Sequence, residues 1–214
     1  MYAPEHFAER RLETLHAAIR GIGFSTLTSH GEDGLQASHI PTLLDASAGE
    51  FGVLEGHFAR ANPHWRSLAQ GGDVLAIYTA ADGYISPNWF PSKHETGKGV
   101  PTWNYLAIQA HGRIEVFDGA DALLDLVSRL TEVHEASRAQ PWAVADAPAA
   151  YIQGLLRAIV GFRITITRLE GAWKMSQNRP EPDQAGIRAG LAANGDPRSA
   201  AVAAVMNALP PKEA

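Results

Sequence analysis

The chain has 214 residues, of which 45% are hydrophobic and 19% charged. That is long enough to bury a core in one domain with a modest extension, and too apolar for wholesale disorder. A net charge of -5 leaves no basic surplus for gripping nucleic-acid phosphates. The absence of cysteine excludes disulfides, Cys-ligated zinc, iron–sulfur clusters and a thiol nucleophile, and suits a reducing, cytoplasmic setting.

The first helix is predicted over residues 5–20, where Ala8, Leu12, Leu15, Ile19 and Ile22 recur on one face and Gly21 and Gly23 end it. Strands are predicted near 24–29, 35–43 and 51–58, separated by His30–Gly34 and Asp45–Gly49. Asn62 followed by Pro63 marks a helix start. Val74–Tyr78 reads as a buried strand bounded by Asp82-Gly83. Residues 103–117 alternate as a long half-buried strand, with a bulge expected at Gly112. Helices are predicted over 121–138 and about 149–160. Phe162, Ile164 and Ile166 mark a strand, and Glu170-Gly171 is expected to turn it into Trp173–Ser176. The Ala-rich tail predicts helices around 182–193 and 197–208. Its few large apolar residues imply weak docking or an interface role. No stretch of about 18 apolar residues occurs and the first residues are polar, so neither a membrane helix nor a signal peptide is expected.

Six or seven strands with inserted and C-terminal helices predict a mainly β, α+β chain built on a β-barrel. Regular β–α–β alternation is missing, which argues against a doubly wound nucleotide fold. Gly97-Lys98-Gly99 lacks both the leading Gly and the Ser/Thr of a phosphate loop. No GxSxG elbow or HExxH helix occurs, and the nine histidines are scattered without ligand spacing, so no metal site is expected.

One strip carries the chemical signal. Tyr84-Ile85-Ser86-Pro87-Asn88-Trp89-Phe90-Pro91-Ser92-Lys93 is followed, after a loop, by Val100-Pro101-Thr102-Trp103-Asn104-Tyr105. Aromatic rings with polar tips beside small hydroxyls make poor plain core. They suit a walled pocket for a flat ligand with a polar edge and an anionic tail. A rigid loop packed on the barrel is the plainer reading.

Five blocks, in order, make the signal specific. They are Met1-Tyr2 with Pro4 and His6-Phe7, His57-Phe58-Ala59-Arg60-Ala61-Asn62-Pro63, Tyr84-Ile85-Ser86-Pro87 with Trp89, Val100–Tyr105, and Lys174-Met175-Ser176-Gln177-Asn178-Arg179. Together they resemble the PaiB family of FMN-binding negative transcriptional regulators. The resemblance implies a split β-barrel of the pyridoxamine phosphate oxidase kind over residues 1–180, a helical extension over 181–214, and a homodimer with FMN at its interface. For the phosphate it points to Lys93, Arg60 and Arg179, with Ser86 and Thr102 as hydroxyl donors and Lys98 as a substitute cation. For the ring it points to Trp103, Asn104, Tyr105 and the strand carrying His39. His57 is a further contact candidate. The block Lys174–Arg179, Gln177 and Arg179 included, is expected to reach the site of a partner subunit, a solvated connector being the plainer reading.

Three functions follow as expectations. The resemblance implies a negative regulator, with DNA as a partner on that ground alone. A flavin-dependent oxidoreductase using NAD(P)H or a small substrate is the alternative, because a flavin needs no obligatory side-chain acid or base for hydride transfer. A non-catalytic haem or planar-ligand module is the third, with His57, His39 or His111 as axial candidates.

Overall fold

A computed structural model describes residues 1–31 and 34–209. In chain order the elements are Ala8–Glu9 (β1), Leu12–Ile22 (α1), Phe24–Gly31 (β2), Gly34–Pro41 (β3), Leu43–Asp45 (β4), Val53–Ala59 (β5), His64–Ser67 (α2) and Gly72–Ile85 (β6). They continue with Pro91–Thr96 (α3), Thr102–Phe117 (β7), Ala120–Glu135 (α4), Ala149–Leu156 (α5), Ile159–Lys174 (β8), Glu181–Asn194 (α6) and Pro197–Ala208 (α7). Short 3-10 turns occupy Pro87–Trp89 and Val144–Asp146. The hydrogen-bonded strand order is β3-β2-β6-β7-β8-β5-β4, with β1 added to β8, in an antiparallel sheet. This is the split β-barrel arrangement expected, with inserted and C-terminal helices. Among the described residues no helix is long and apolar enough to cross a membrane.

The chain forms two compact units, and β6, β7 and β8 run from one into the other. The first comprises Met1–Leu15, Thr79–Ile108 and the segment from Glu170 onward. Its core holds Phe7, Leu15, Ile85, Phe90, Leu106, Ile108 and Trp173, joined by Ile187, Leu191, Val202 and Met206 from α6 and α7. The tail therefore docks through four buried apolar side chains, against the weak docking its composition suggests. Each contributes about 1.5–3 kcal/mol by leaving water.

The second unit comprises His16–Tyr78 and Gln109–Leu169. Leu27, Ile40, Leu54, Phe58, Phe162, Ile164 and Ile114 form its core, and the Phe58 and Phe162 rings meet at 5.1 Å. Glu55, buried on β5, accepts from Arg129 on α4 at 2.6 Å and from Arg163 on β8 at 2.7 Å. Burial pushes the Tyr78 hydroxyl up to about 12, and it bonds Thr42 at 2.7 Å.

Several local expectations change. Residues 8–9 are not helical: they pair with Gly171 and Ala172, and α1 starts at Leu12. Gly171 is no turn, because β8 runs through it to Lys174. A Cβ there would overlap Leu15 and the Trp173 ring, so the glycine serves close packing. Gly112 likewise sits in the unbroken strand β7, where a Cβ would overlap the Thr165 carbonyl. Asp82-Gly83 does not end β6, which reaches Ile85 after Ala81 takes a left-handed φ of 47°. Helix α5 stops at Leu156, and Ile159-Val160 already belong to β8. Asn62 behaves as expected in chemistry: its Oδ1 accepts from the His64 N–H at 3.0 Å, with α2 assigned from His64. The expected turn around Glu32-Asp33 lies outside the described residues.

Candidate functional site

In the first unit the aromatic strip folds as a series of capped turns. Ser86 Oγ accepts from the Asn88 N–H at 3.2 Å and opens the 3-10 turn Pro87–Trp89. Pro91 pre-sets the start of α3, and Gly97 ends it at a left-handed φ of 70°. The chain re-enters the sheet at Thr102. Trp103 and Tyr84 are each 49% exposed and meet edge to face at 6.3 Å. Helix α6 crosses Trp89 with Gly186 and Gly190, four residues apart on one face; a Cβ at either would overlap Trp89.

Beneath this surface lies a connected polar cluster. Asn104 is fully buried, and its Oδ1 accepts from Ser176 Oγ at 2.8 Å. Its amide faces Met206 Sδ at 3.6 Å. Ser176 itself adopts a left-handed φ of 60°, a conformation costing about 1–3 kcal/mol in a non-glycine residue. Gln177 ties off the strand end, donating to the Trp173 carbonyl at 2.6 Å and accepting from the Met175 N–H at 2.8 Å. Buried Asp183 accepts from the Ser92 N–H at 3.0 Å and Ser92 Oγ at 2.7 Å, and lies 3.6 Å from Arg179. The Arg179 guanidinium sits 3.8 Å from the centre of the Phe90 ring.

Lys174 is the electrostatic centre. Its Nζ donates to Thr102 Oγ1 at 2.6 Å and to the Trp103 carbonyl, with the Phe7 and Tyr105 rings at 5.9 and 5.8 Å. Burial, and then the charge of Arg179, pull its pKa below the ordinary lysine value. Lys93 Nζ donates to Asn88 Oδ1 at 2.6 Å. Among the described residues neither lysine has a carboxylate partner, so each ammonium can take an anionic group. A dianionic phosphate with a planar ring fits that donor set: ammonium and hydroxyl at one end, exposed Trp and Tyr faces at the other. A cleft of about 310 Å³ opens among Tyr84, Ser86, Trp89, Trp103 and Arg198, with the Arg198 guanidinium 5.4 Å from the Trp103 ring.

The family profile described as "Putative FMN-binding domain" matches residues 1–168. The chain belongs to this FMN-binding family. An uncharacterized protein, AN0679, of Emericella nidulans is 33% identical over 89% of this chain and 90% of its own. The protease synthase and sporulation protein PAI 2 of Bacillus subtilis is 28% identical over 96% of each chain, which carries the PaiB resemblance along nearly the full length. The solved structure of the FAD and heme binding protein from Mycobacterium smegmatis superposes with a TM-score of 0.58 at 18% identity. It covers 78% of this chain and 73% of that one, and shares the fold.

Eight of the residues the sequence singled out, Ser86, Lys93, Thr102, Trp103, Asn104, Tyr105, Gln177 and Arg179, fall in the first unit. Thr102, Trp103, Asn104, Tyr105 and Arg179 meet partners far along the chain, whereas Ser86, Lys93 and Gln177 bond near neighbours. His39, His57 and Arg60 fall in the second unit. His39 is exposed on β3, its Nδ1 3.1 Å from Thr26 Oγ1 and its ring stacked 6.4 Å from Phe24. Arg60 donates to the carbonyls of Arg157 at 2.8 Å and Ile159 at 3.0 Å, and reaches Asp118 at 3.5 Å. The sequence marks Lys174 as part of the Lys174–Arg179 block but not as a flavin contact in its own right. The signal was a single cation in the otherwise apolar run Ala172-Trp173-Lys174-Met175. Arg198, which overhangs Trp103 and pairs with Asp82, carried no comparable signal.

Proposed function

We propose that the chain is a PaiB-type flavoprotein that holds the FMN phosphate at Lys174 and lays the ring beside Trp103. The observation that carries this reading is the half-buried Lys174 ammonium with a hydroxyl partner and no carboxylate. Thr102 and Ser86 serve as hydroxyl donors, Lys93 and Arg179 add positive field, and Asn104, Tyr105 and Gln177 hold the strands that carry them. His39 and Arg60 remain the second unit's candidates for flavin contact. Bound flavin supplies redox chemistry; the chain supplies position and charge. Residues 1–180 form the flavin domain and 181–214 its extension, in a cytoplasmic homodimer. Titrating FMN while following its fluorescence, together with the absorption spectrum and the sedimentation mass, tests ligand, cofactor class and dimer. A Soret band without flavin bands would overturn the assignment in favour of haem.

The role we assign is negative regulation, supported by the PaiB resemblance and the full-length similarity to PAI 2. With a net charge of -5, regulation runs through a partner rather than a direct grip on DNA phosphates. A gel shift at low salt, with and without FMN, is expected to show no retarded band; a band would overturn the partner-borne route. A second reading, a flavin-dependent oxidoreductase, is favoured by the cleft beside Trp103, which offers two aromatic faces and the Arg198 cation to a second planar molecule. Anaerobic bleaching of the flavin by NAD(P)H tests it.

A further inference from the structure

The second unit contains a cavity unrelated in composition to the polar strip. It measures about 320 Å³, at the small end of the roughly 300–1,000 Å³ typical of ligand pockets. The helical segment between β7 and β8 builds most of its wall: Val127 and Thr131 from α4, Trp142 from the following loop, Ile152 and Leu155 from α5. His57 on β5 completes it. The Thr131 hydroxyl already donates to the Val127 carbonyl at 2.7 Å. His57 and the indole N–H of Trp142 are the other polar side-chain groups of the wall.

His57 is singular in one respect. Among the described residues its Nδ1 is the one buried side-chain nitrogen or oxygen without a hydrogen-bond partner. Native proteins pair such groups almost without exception. The contrast with His64 is direct, since both His64 nitrogens meet serine hydroxyls at 2.8 Å. Burial lowers the pKa of His57 and keeps the ring neutral at pH 7. The neutral ring carries one proton, and with it on Nε2 the imidazole offers an occupant a single donor. Trp142 at 46% and Leu155 at 48% exposure leave apolar surface at the rim.

We propose that this cavity is a second ligand site, for an uncharged aromatic molecule of one or two rings bearing a single hydroxyl or carbonyl oxygen. The apolar wall takes the rings and the His57 Nε2–H donates to the oxygen. A charged ligand is excluded, because the wall offers no counter-charge and burial of an unpaired ion is costly. The site lies wholly within the second unit and does not depend on the Lys174 assignment.

Calorimetry with 1-naphthol on the full chain tests this, run without FMN and with FMN in excess. The expected result is saturable one-to-one binding with the same affinity in both. Leu155→Trp, which fills the cavity from an exposed position, is expected to weaken it at least tenfold. His57→Phe is expected to weaken 1-naphthol about tenfold while leaving naphthalene unaffected. The His57 ring resonances of the unmodified protein, followed by NMR, are expected to shift on addition of 1-naphthol, which keeps the test alive if a variant fails to fold. No saturable binding, or unchanged affinity in folded Leu155→Trp, overturns the proposal. Displacement by FMN overturns it by giving the cavity to the flavin. A drop in sedimentation mass in Leu155→Trp overturns it by giving this face to a second copy of the chain.

Discussion

The Lys174 cluster and the His57 cavity are opposite kinds of incompleteness. Around Lys174 the buried polar side-chain atoms are paired, yet the ammonium has no carboxylate among the described residues. Around His57 no charge is out of balance, yet one nitrogen has no partner. The first suits an anion, the second an apolar body with one hydrogen-bonding atom. Hydrogen-bond satisfaction alone would have drawn attention only to the second, and charge counting only to the first.

The largest effect that could break this comparison is Lys174→Met. Losing charge-assisted bonds to phosphate should cost about 2–3 kcal/mol, near a hundredfold in Kd for FMN, read by flavin fluorescence. The same change should leave 1-naphthol binding untouched. Equal FMN affinity in the variant would move the anion site elsewhere, with Lys93 the next cation to change.

An intermediate effect is expected from pH. Burial lowers the pKa of both His57 and His64. The unfolded chain then binds more protons than the folded one below about 6.5, the ordinary histidine value. The contribution of these rings to stability is complete above that pH and is lost as pH falls through their folded values. Thermal unfolding followed by circular dichroism should show a falling Tm from pH 7 to 5, and His64→Gln should flatten the slope. A Tm independent of pH over that range would show that both rings charge freely in the folded state.

The smallest effect is expected from Arg198→Ala. Its partner Asp82 is 43% exposed and its own side chain 62%, so the pair contributes less than about 1 kcal/mol to stability. The informative readout is Trp103, whose emission should change when the guanidinium leaves its face. Silence there would remove Arg198 from the cleft.

The sequence showed much of the frame. The alternation of 103–117 reads directly as β7 because one face is buried, and the two tail helices fall close to the predicted 182–193 and 197–208. Where reading failed, a residue type had two physical uses. Gly171 looks the same whether it makes a turn or lets Leu15 approach a strand, and only the fold decides. The cluster was partly legible: Trp103, Asn104 and Tyr105 stood out by type, but the partners that give them meaning are distant. Lys174 meets Thr102 across 72 positions, and Arg60 finds the Arg157 carbonyl across 97. No local pattern encodes such pairings.

Gly186 and Gly190 carry a consequence for kinship. The Trp89 indole fills the space a side chain at Gly190 would take and the residue 89 carbonyl the space at Gly186, so tryptophan and Gly190 are one feature spread over two segments while Gly186 answers the backbone. A relative that keeps an aromatic residue at the first position and glycines four apart at the second inherits the same cover over the strip. One that places a bulky side chain at either glycine must carry its last helices elsewhere, and with them a differently shaped mouth to the cleft. Three letters of sequence thus form a fingerprint for sorting the family into covered and uncovered members before any further structure is determined.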